Sequence, residues 1–171
     1  STPLYSSAAS DVYKRQKSKS GITVKGIHDL AVRFSKCCSP VPGDEIVGFV
    51  TRGRGITIHR TDCINVLNLP EIERSRLIDA EWQGVEEDNS AATYSTEISI
   101  FANNRIGMFV DISKIFTERE IDIKTMNSRV NKQGKATITM SFDIHGIEEL
   151  NNLMAKLRQI DGVLDIERTT G

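Results

Sequence analysis

The sequence predicts an α+β fold made of two small domains: an α/β domain with a β-hairpin, and a ferredoxin-like βαββαβ domain after it. Three observations predict this division. An acidic stretch without any apolar period lies at 84–92. All three cysteines precede that stretch, together with a histidine at a spacing suited to metal binding. The residues after it follow strand-like and helix-like apolar spacing in the order βαββαβ.

Composition excludes several classes of protein. The chain has 171 residues, of which 39% are hydrophobic and 26% are charged, and its formal net charge is −1. This length suits one or two globular domains, and the near-neutral charge argues against a general nucleic-acid coat. No apolar run approaches the roughly 18–20 residues that a membrane span requires, so we expect no membrane partner. Three cysteines are an odd number and too few for a disulfide framework, which favours the cytoplasm.

Charge and composition also predict the domain boundaries. Residues 1–20 have no amphipathic period, so we expect a disordered tail there. Its first part, residues 1–16, resembles a translated sequencing-adapter artefact that occurs at the ends of open reading frames assembled from environmental DNA, which implies that the chain is a fragment. We therefore expect a first domain over 21–83, an acidic linker over 84–92 and a second domain over 93–171.

The first domain is predicted to consist of short strands and short helices. Pro42 presets φ and Gly43 supplies the positive φ of a type II turn, so "SPVPGDE" is expected to be a tight turn. Two alternating segments flank "GRG" and indicate a hairpin. In chain order we expect a strand over 21–26, a helix over 28–38, the turn over 39–45, hairpin strands over 46–52 and 55–60, a helix over 61–69 with Thr61 or Asp62 as its N-cap, and a closing strand over 76–82.

The second domain has the clearer periodicity. In "KATITMSFDI" (135–144) every second residue is apolar, which predicts a strand with one buried face. The opposite face carries Thr, Thr, Ser and Asp, so it lacks the aromatic side chains with which an RNA-recognition sheet stacks bases. The expected elements are a strand over 96–101, a helix from Met108 to Phe116, an extended segment over 121–130, a turn over 131–134, the strand over 135–144, a helix over 147–160 and a last strand within 161–168.

Three thiols and one imidazole form a candidate metal site, consisting of Cys37, Cys38, His59 and Cys63. A Cys₃His set suits tetrahedral structural zinc, and a position in the first turn of a helix favours the thiolate form of Cys63. The spacing C-C-x20-H-x3-C leaves three alternatives open. In the first, Cys37 or Cys38 is a small core residue and His59 is an exposed polar one. In the others, Cys63 attacks one of the adjacent cysteines as a redox switch, or a Cys–His pair is catalytic without an apparent acid–base partner.

The predicted hairpin carries a basic group of residues. Arg52, Arg54 and Arg60 lie on the hairpin or at its exit, with His59 nearby. Arginines at such a turn suit the phosphates of RNA, a contact that positions a protein without reading base sequence. The glycines around Arg52 and Arg54 allow the backbone to approach a phosphate closely. Alternatively, the three arginines form a solvated edge that guards against aggregation.

The junction between the first strand and the first helix of the second domain is a candidate ligand site. It consists of Asn104, Arg105, Ile106 and Gly107. Backbone N–H groups at the start of a helix, together with the helix dipole, hold a carboxylate. Alternatively, Gly107 serves only to let the helix and strand pack closely.

The motifs C-C-x-P-x-P-G-D, T-R-G-R-G and H-R-x-D-C occur together in residues 37–66 and are followed by "LIDAEW". Over residues 21–171 the chain resembles the C-terminal regulatory half of long RelA/SpoT-type stringent-response proteins. The resemblance implies a zinc-finger or ribosome-intersubunit domain, in which the four Cys and His residues named above are the metal ligands. It also implies that the second domain is an ACT domain, in which Asn104 replaces the usual Asp of an Asp-Arg-x-Gly junction.

The resemblance implies that the chain is a non-catalytic part of a bacterial, cytoplasmic GTP pyrophosphokinase (an ATP:GTP 3′-diphosphotransferase) that makes ppGpp and pppGpp and in some members also hydrolyses them. The catalytic domains precede this region in the family, and no P-loop or carboxylate cluster replaces them here. Such regions dock on ribosomal RNA when deacylated tRNA occupies the A site and control the catalytic domains. In the alternative reading, the ACT domain senses an amino acid of the branched-chain type and signals by forming a homodimer.

Overall fold

The computed structural model describes residues 22–24, 31–82 and 92–169. The predicted tail over 1–20 and residues 84–91 of the predicted linker lie outside the described residues. The described elements form two sheets, one of five strands and one of four. Within these ranges no helix is long and apolar enough to cross a membrane.

The first sheet is built from short strands around a small apolar core. Its strands are β1 (Ile22–Val24), β2 (Val32–Phe34), β3 (Ile46–Val50), β4 (Ile56–Arg60) and β5 (Leu77–Trp82). Their order across the sheet is β1-β5-β3-β4-β2, in which β2 and β4 are parallel and the other pairs antiparallel. Two one-turn helices, α1 (Ile64–Leu67) and α2 (Glu71–Arg74), connect β4 to β5. The core side chains are Ile22, Val24, Ile56, Ile58 and Ala80.

The predicted helix over 28–38 is wrong for its described part, which forms strand β2 and a turn. The backbone hydrogen bonds of strand β2 and of the residues on either side of it go to β4. The Ile56 N–H donates to the Ala31 carbonyl at 2.8 Å, and the Ser35 N–H donates to the Ile58 carbonyl at 2.9 Å. Pairing with a distant strand therefore outweighs the helical spacing of the apolar residues.

The predicted helix over 61–69 is confirmed in type but is only the single turn α1, and α2 was not expected. The N-cap prediction of Thr61 or Asp62 is wrong. The N-cap residue is Cys63, whose side chain makes no capping hydrogen bond. A thiol is a weak hydrogen-bond acceptor, and here it faces the other sulfur atoms described below.

The predicted turn and hairpin are confirmed. Gly43 has φ of +101°, and the Asp44 N–H donates to the Val41 carbonyl at 3.0 Å. Strands β3 and β4 pair antiparallel along their whole length. At Gly55, where φ is +82°, a Cβ atom would lie 2.2 Å from the Ala31 carbonyl oxygen. Only glycine fits at that position, because both the backbone angle and the space exclude a side chain.

The second sheet confirms the ferredoxin-like βαββαβ prediction. Its elements are β6 (Tyr94–Asn103), α3 (Met108–Glu118), β7 (Ile123–Val130), β8 (Lys135–Ile144), α4 (Ile147–Arg158) and β9 (Val163–Arg168). The strand order is β7-β8-β6-β9, and every pair is antiparallel. The alternate residues of β8 predicted to face the core are buried, namely Ala136, Ile138, Met140, Phe142 and Ile144. Helices α3 and α4 contribute the opposing apolar side chains of this larger core.

The turn that follows the two adjacent cysteines packs into the second domain. Val41 is fully buried and belongs to the apolar core of the second sheet. The Ile147 N–H at the start of α4 donates to the Pro42 carbonyl at 2.8 Å. A Cβ atom on Gly43 would lie 2.1 Å from Ile147 Cγ2, so glycine is needed here for the close approach as well as for the turn.

A buried ion pair joins the two domains at the same place. Arg168 Nη1 donates to Asp44 Oδ1 at 2.7 Å and its Nη2 donates to Oδ2 at 2.9 Å. The two side chains are only 9% and 8% exposed. Arg168 also donates to the Ser39 carbonyl at 3.1 Å, and the Val41 N–H donates to Asp44 Oδ2 at 2.8 Å. The Arg168–Asp44 contact is thus bidentate, and bidentate arginine–carboxylate pairs are stronger than neutral hydrogen bonds.

Three aromatic rings make further apolar contacts across the interface between the two domains. Phe34 and Trp82 belong to the first sheet and stack with their planes 14° apart. Tyr94 begins the second sheet and meets both rings edge-on, and each pair of ring centroids is 5.7 Å apart. Stacked and edge-to-face pairs at this separation are favourable beyond the area they bury.

We expect Arg168→Ala to lower the free energy of unfolding by about 3–5 kcal/mol, because it leaves the Asp44 carboxylate buried without its cation. Urea denaturation measures this change. The matched control is Lys124→Ala, which removes an exposed pair with Asp122 (2.9 Å) and should leave unfolding unchanged within error. A loss in Arg168→Ala no larger than that of the control would contradict a stabilising role for the buried pair.

Candidate metal centre and basic hairpin

The four candidate ligands converge where the carboxyl ends of β2 and β4 meet. Cys37 and Cys38 lie in the turn directly after β2, and His59 lies in β4. Cys63 is the N-cap residue of α1, which follows β4. Because β2 and β4 are parallel, the turn after β2 is placed beside the end of β4.

The distances between the ligand atoms suit a tetrahedral metal ion. The sulfur of Cys37 is 3.4 Å from that of Cys63 and 3.4 Å from His59 Nδ1. The sulfur of Cys38 is 3.8 Å from His59 Nδ1, and all four atoms lie within 4.8 Å of one another. Zinc bonds of about 2.3 Å to sulfur and about 2.0–2.1 Å to nitrogen give tetrahedral edges of roughly 3.5–3.8 Å. The donor set therefore fits a zinc ion with little adjustment.

Burial sets the protonation of most of these groups. It lowers the pKa of His59, which favours the neutral imidazole that binds metals. It raises the pKa of Cys63, and it raises that of Cys38 to about 12. Burial also acts to raise the pKa of Cys37, but hydrogen bonds with Ser35 and Asn65 help to lower it overall. Two of the three thiols thus need a nearby cation to ionise near neutral pH, so metal binding would release protons.

Two groups around the cluster hold the sulfurs in place. Ser35 Oγ lies 2.7 Å from the Cys37 sulfur, and the Cys37 N–H donates to the same oxygen. The Arg60 N–H donates to the Cys38 sulfur at 3.3 Å. Cys38 and Cys63 are buried but belong to neither apolar core, since their sulfurs face other ligand atoms. Sequence reasoning missed Ser35, because its role depends on the turn that replaced the predicted helix.

The three predicted RNA-binding arginines occupy different environments. The side chain of Arg52 is 81% exposed at the hairpin tip, and its guanidinium is 3.9 Å from the Glu73 carboxylate. Arg54 is also exposed at the tip. Arg60 is buried, with its side chain only 10% exposed, and it pairs with Asp62. The structure therefore does not present Arg60 to a surface ligand, which corrects its inclusion in the basic group.

A further cation, Arg33, lies at the hairpin tip and was not expected from the sequence. Its exposed guanidinium donates to the Arg54 carbonyl at 3.0 Å. Arg33 reaches this position because β2 runs beside β4 in the same direction. This contact could not be foreseen while residues 28–38 were predicted to form a helix. We call the group of exposed arginines Arg33, Arg52 and Arg54 the basic tip.

The predicted ligand junction of the second domain is open to solvent. Ile106 is fully exposed, and Asn104 is exposed as well. Gly107 is the N-cap residue of α3 with φ of +84°, and α3 has no side-chain capping hydrogen bond there. The Arg105 guanidinium bonds to the Asp161 carbonyl at 2.8 Å and to the Asp111 carboxylate at 2.6 Å. Arg105 thus fixes the junction to neighbouring elements.

Comparison with known families identifies both halves of the chain. The profile of the RelA/SpoT RIS domain matches residues 22–83, and the profile of the ACT domain matches residues 90–168. The chain is a regulatory region of the RelA/SpoT family. Its RIS domain contains the Cys/His cluster and the basic tip, and its ACT domain is the four-stranded sheet with α3 and α4.

Similar proteins include several named GTP pyrophosphokinase. The chain is 36% identical to that of Escherichia coli (strain K12) over 158 residues, which is 92% of the chain and 21% of the relative. It is 34% identical to that of Haemophilus influenzae over 95% of the chain and 21% of the relative. The solved ACT domain from GTP pyrophosphokinase of Chlorobium tepidum is 26% identical and covers 45% of this chain and 99% of that domain, with a TM-score of 0.41. The chain spans about a fifth of the length of the curated relatives it matches.

We expect the purified chain to carry about one zinc ion per molecule and Cys38→Ser to carry much less, because the variant lacks one of four ligands. Elemental analysis after gel filtration measures the ratio. Ser35→Ala is the matched control, since it removes a hydrogen bond to Cys37 but no ligand, and it should retain the ion. Equal zinc content in wild type and Cys38→Ser would contradict the assigned ligand set.

Proposed function

We propose that this chain is the C-terminal regulatory part of a longer bacterial GTP pyrophosphokinase and that it binds ribosomal RNA through the basic tip. The observation that carries the proposal is the position of strand β4. One end of β4 adjoins the tip with Arg52 and Arg54, and the other end contains His59 of the metal cluster. A metal ion that fixes one end of this strand would hold the hairpin in a single orientation.

Zinc is the ion that best fits the cluster. Three thiols and one neutral imidazole form a set of soft and borderline ligands in tetrahedral arrangement, which suits zinc and not magnesium or calcium. With all four positions filled by the protein, the ion would have no open site for substrate or water, so its role is structural. When bound, the ion supplies a crosslink between the turn after β2, strand β4 and helix α1.

This crosslink matters because the first domain is small. Among the described residues of this domain, five buried apolar side chains form the core, and the two helices are single turns. A domain of this size commonly needs a metal, a disulfide or a partner to reach useful stability. The second domain supplies part of that support through Val41 and the Asp44–Arg168 pair, and zinc would supply the rest.

The basic tip is suited to phosphates. Arg33, Arg52 and Arg54 place three cations at one end of the first sheet, although the whole chain has a formal charge of −1. Such a local patch attracts the RNA backbone through charge and counterion release, and this attraction weakens as salt rises. A contact of this kind positions the protein on a folded RNA without reading bases.

The activity of the whole protein is inferred from its relatives. They are named GTP pyrophosphokinase, and this chain matches about a fifth of their length. We infer that the catalytic domains lie elsewhere in the longer protein, which synthesises, and in a bifunctional form also hydrolyses, ppGpp and pppGpp in the cytoplasm. Deacylated tRNA in the ribosomal A site would provide the state that the regulatory part recognises.

The domain interface supports a role in transmitting the docking event. The Asp44–Arg168 pair, buried Val41 and the rings of Phe34 and Tyr94 join the RIS and ACT domains. Buried apolar and ionic contacts of this kind restrict independent movement of the two domains. Docking of the basic tip on RNA would therefore orient the ACT domain as well, and through it the catalytic domains.

We expect the double variant Arg52→Glu, Arg54→Glu to lose ribosome binding without unfolding, because both side chains are exposed and lie at the tip. Co-sedimentation with ribosomes carrying deacylated tRNA in the A site, in a salt series, measures binding. Circular dichroism and zinc content should match wild type.

The matched control is Lys132→Glu with Lys156→Glu, which has the same charge change on exposed residues of the ACT domain. This variant should bind nearly as well as wild type, since its lysines are outside the basic tip. Undiminished co-sedimentation of the arginine variant would overturn the assigned contact, and equal loss in both variants would show a nonspecific charge effect.

A second function is favoured by the open start of helix α3. Gly107 takes a left-handed conformation at the N-cap, so the first N–H groups of an 11-residue helix lie beside the exposed Asn104 and Ile106. Unpaired N–H groups at a helix start attract a carboxylate. Binding of a branched-chain amino acid at this junction, linked to formation of a homodimer, would make the ACT domain a sensor.

In that case, Gly107→Val should abolish the heat of binding of leucine, isoleucine or valine, because a β-branched residue resists φ of +84° and shifts the helix start. Isothermal titration calorimetry measures the heat, and sedimentation velocity measures dimer formation. Gly53→Val, at φ of +78° in the first domain, is the control for backbone strain alone. It introduces the same kind of strain away from the α3 junction, so it should leave the heat of binding unchanged. A flat titration of the wild-type chain with all three amino acids would remove this second function.

A further inference from the structure

The three thiols of the cluster differ in access and spacing. Cys37 is partly buried, whereas Cys38 and Cys63 are 1% and 0% exposed. The sulfurs of Cys37 and Cys63 are 3.4 Å apart. A disulfide bond is about 2.05 Å long, so this pair must close by roughly 1.3 Å to form one. An oxidant from solvent would therefore reach Cys37 first and find Cys63 beside it.

Other pairings are less suitable. Adjacent residues such as Cys37 and Cys38 have Cα atoms about 3.8 Å apart, which is below the range of about 4.4–6.8 Å found in disulfides. Cys38 is also held by the Arg60 N–H, which donates to its sulfur at 3.3 Å. Cys63, by contrast, is the N-cap residue of a single-turn helix and makes no side-chain capping hydrogen bond.

We propose that the cluster is also a redox switch, in which peroxide converts Cys37 and Cys63 into a reversible disulfide and expels the metal ion. The expulsion rests on the proposed zinc site. The pairing itself rests on the geometry of the two sulfurs. The chemical class of the oxidant is a hydroperoxide, such as hydrogen peroxide.

The reaction balances with one peroxide for each pair of thiols. The Cys37 thiolate attacks one peroxide oxygen, the O–O bond breaks, and hydroxide leaves, so that Cys37 becomes a sulfenic acid. The Cys63 thiolate then attacks the Cys37 sulfur, the S–O bond breaks, and a second hydroxide leaves as the disulfide forms. The two sulfurs lose two electrons in total, peroxide gains them, and protons from the thiols or from the buffer convert both hydroxides to water.

The metal ion would not remain after this step. Cys38 and His59 are then the two strong donors that remain, because the sulfurs of a disulfide carry no negative charge and bind zinc poorly, whereas a structural zinc site needs four ligands. The new disulfide would join the turn after β2 to the start of α1, but it would leave His59 in β4 without a partner. Oxidation would thus release the strand that leads to the basic tip and weaken RNA binding.

The experiment uses the full chain, whose zinc content is measured first. Hydrogen peroxide is added, free zinc is followed with a chromogenic chelator, remaining thiols are alkylated, and disulfides are mapped by peptide mass spectrometry. We expect about one zinc ion released per disulfide, a Cys37–Cys63 crosslink and alkylated Cys38. Dithiothreitol with added zinc should restore the metal content. A crosslink that includes Cys38, or zinc loss with no disulfide, would overturn the proposal.

Matched variants separate this proposal from the zinc assignment. Cys37→Asp and Cys38→Asp each replace a thiolate with a carboxylate that still binds zinc. Zinc release by peroxide should be at least about tenfold slower in Cys37→Asp than in Cys38→Asp, because only the latter keeps the reactive pair. Equal rates would contradict the switch. A wild-type chain without zinc would contradict the proposed metal site, and the disulfide map would then test the Cys37–Cys63 pairing alone.

Discussion

Parallel pairing of β2 with β4 is the constraint on which the functional part of the first domain depends. Parallel neighbours end at the same edge of a sheet, so the residues that follow β2 meet the residues that end β4. Cys37, Cys38 and His59 are brought together in this way. At the other edge, the same pairing sets Arg33 beside Arg54 and brings Ala31 against Gly55. An antiparallel arrangement would have separated both groups by the length of the strands.

The chain passes from the metal cluster to the domain interface within a few residues. Ser39, directly after Cys38, has φ of +46°, and its carbonyl accepts a hydrogen bond from Arg168. Val41 and Asp44 then enter the core and the ion pair of the second domain. The geometry of the cysteines and the packing of the domains therefore share one backbone segment. This short backbone segment provides a contiguous physical connection between the metal cluster and the domain interface, through which the two could be energetically coupled.

Sequence signals were sufficient where they were local. Alternation in β8 and the Pro42–Gly43 pair specify a strand and a turn without reference to distant residues, and both are confirmed. Strand β2 has only three residues, too few to show a period, and its hydrogen-bond partner lies over twenty positions away. The four candidate ligands could be named from residue type and spacing. The roles of Ser35 and Arg33 could not, whereas the burial of Arg60 follows from its position two residues after buried Ile58.

Burial of Val41 has a consequence for the modularity of the protein. A cut between Trp82 and Ala92 would divide the chain where the two sheets divide, yet each product would lose contacts that stabilise it. The separated ACT domain would have a cavity in its core where Val41 was, and Arg168 would lose its counterion Asp44. The separated RIS domain would expose Val41 and Asp44 to solvent. In this chain the two domains therefore stabilise each other, so a transfer of both together, by gene fusion or by protein engineering, keeps contacts that a transfer of either one loses.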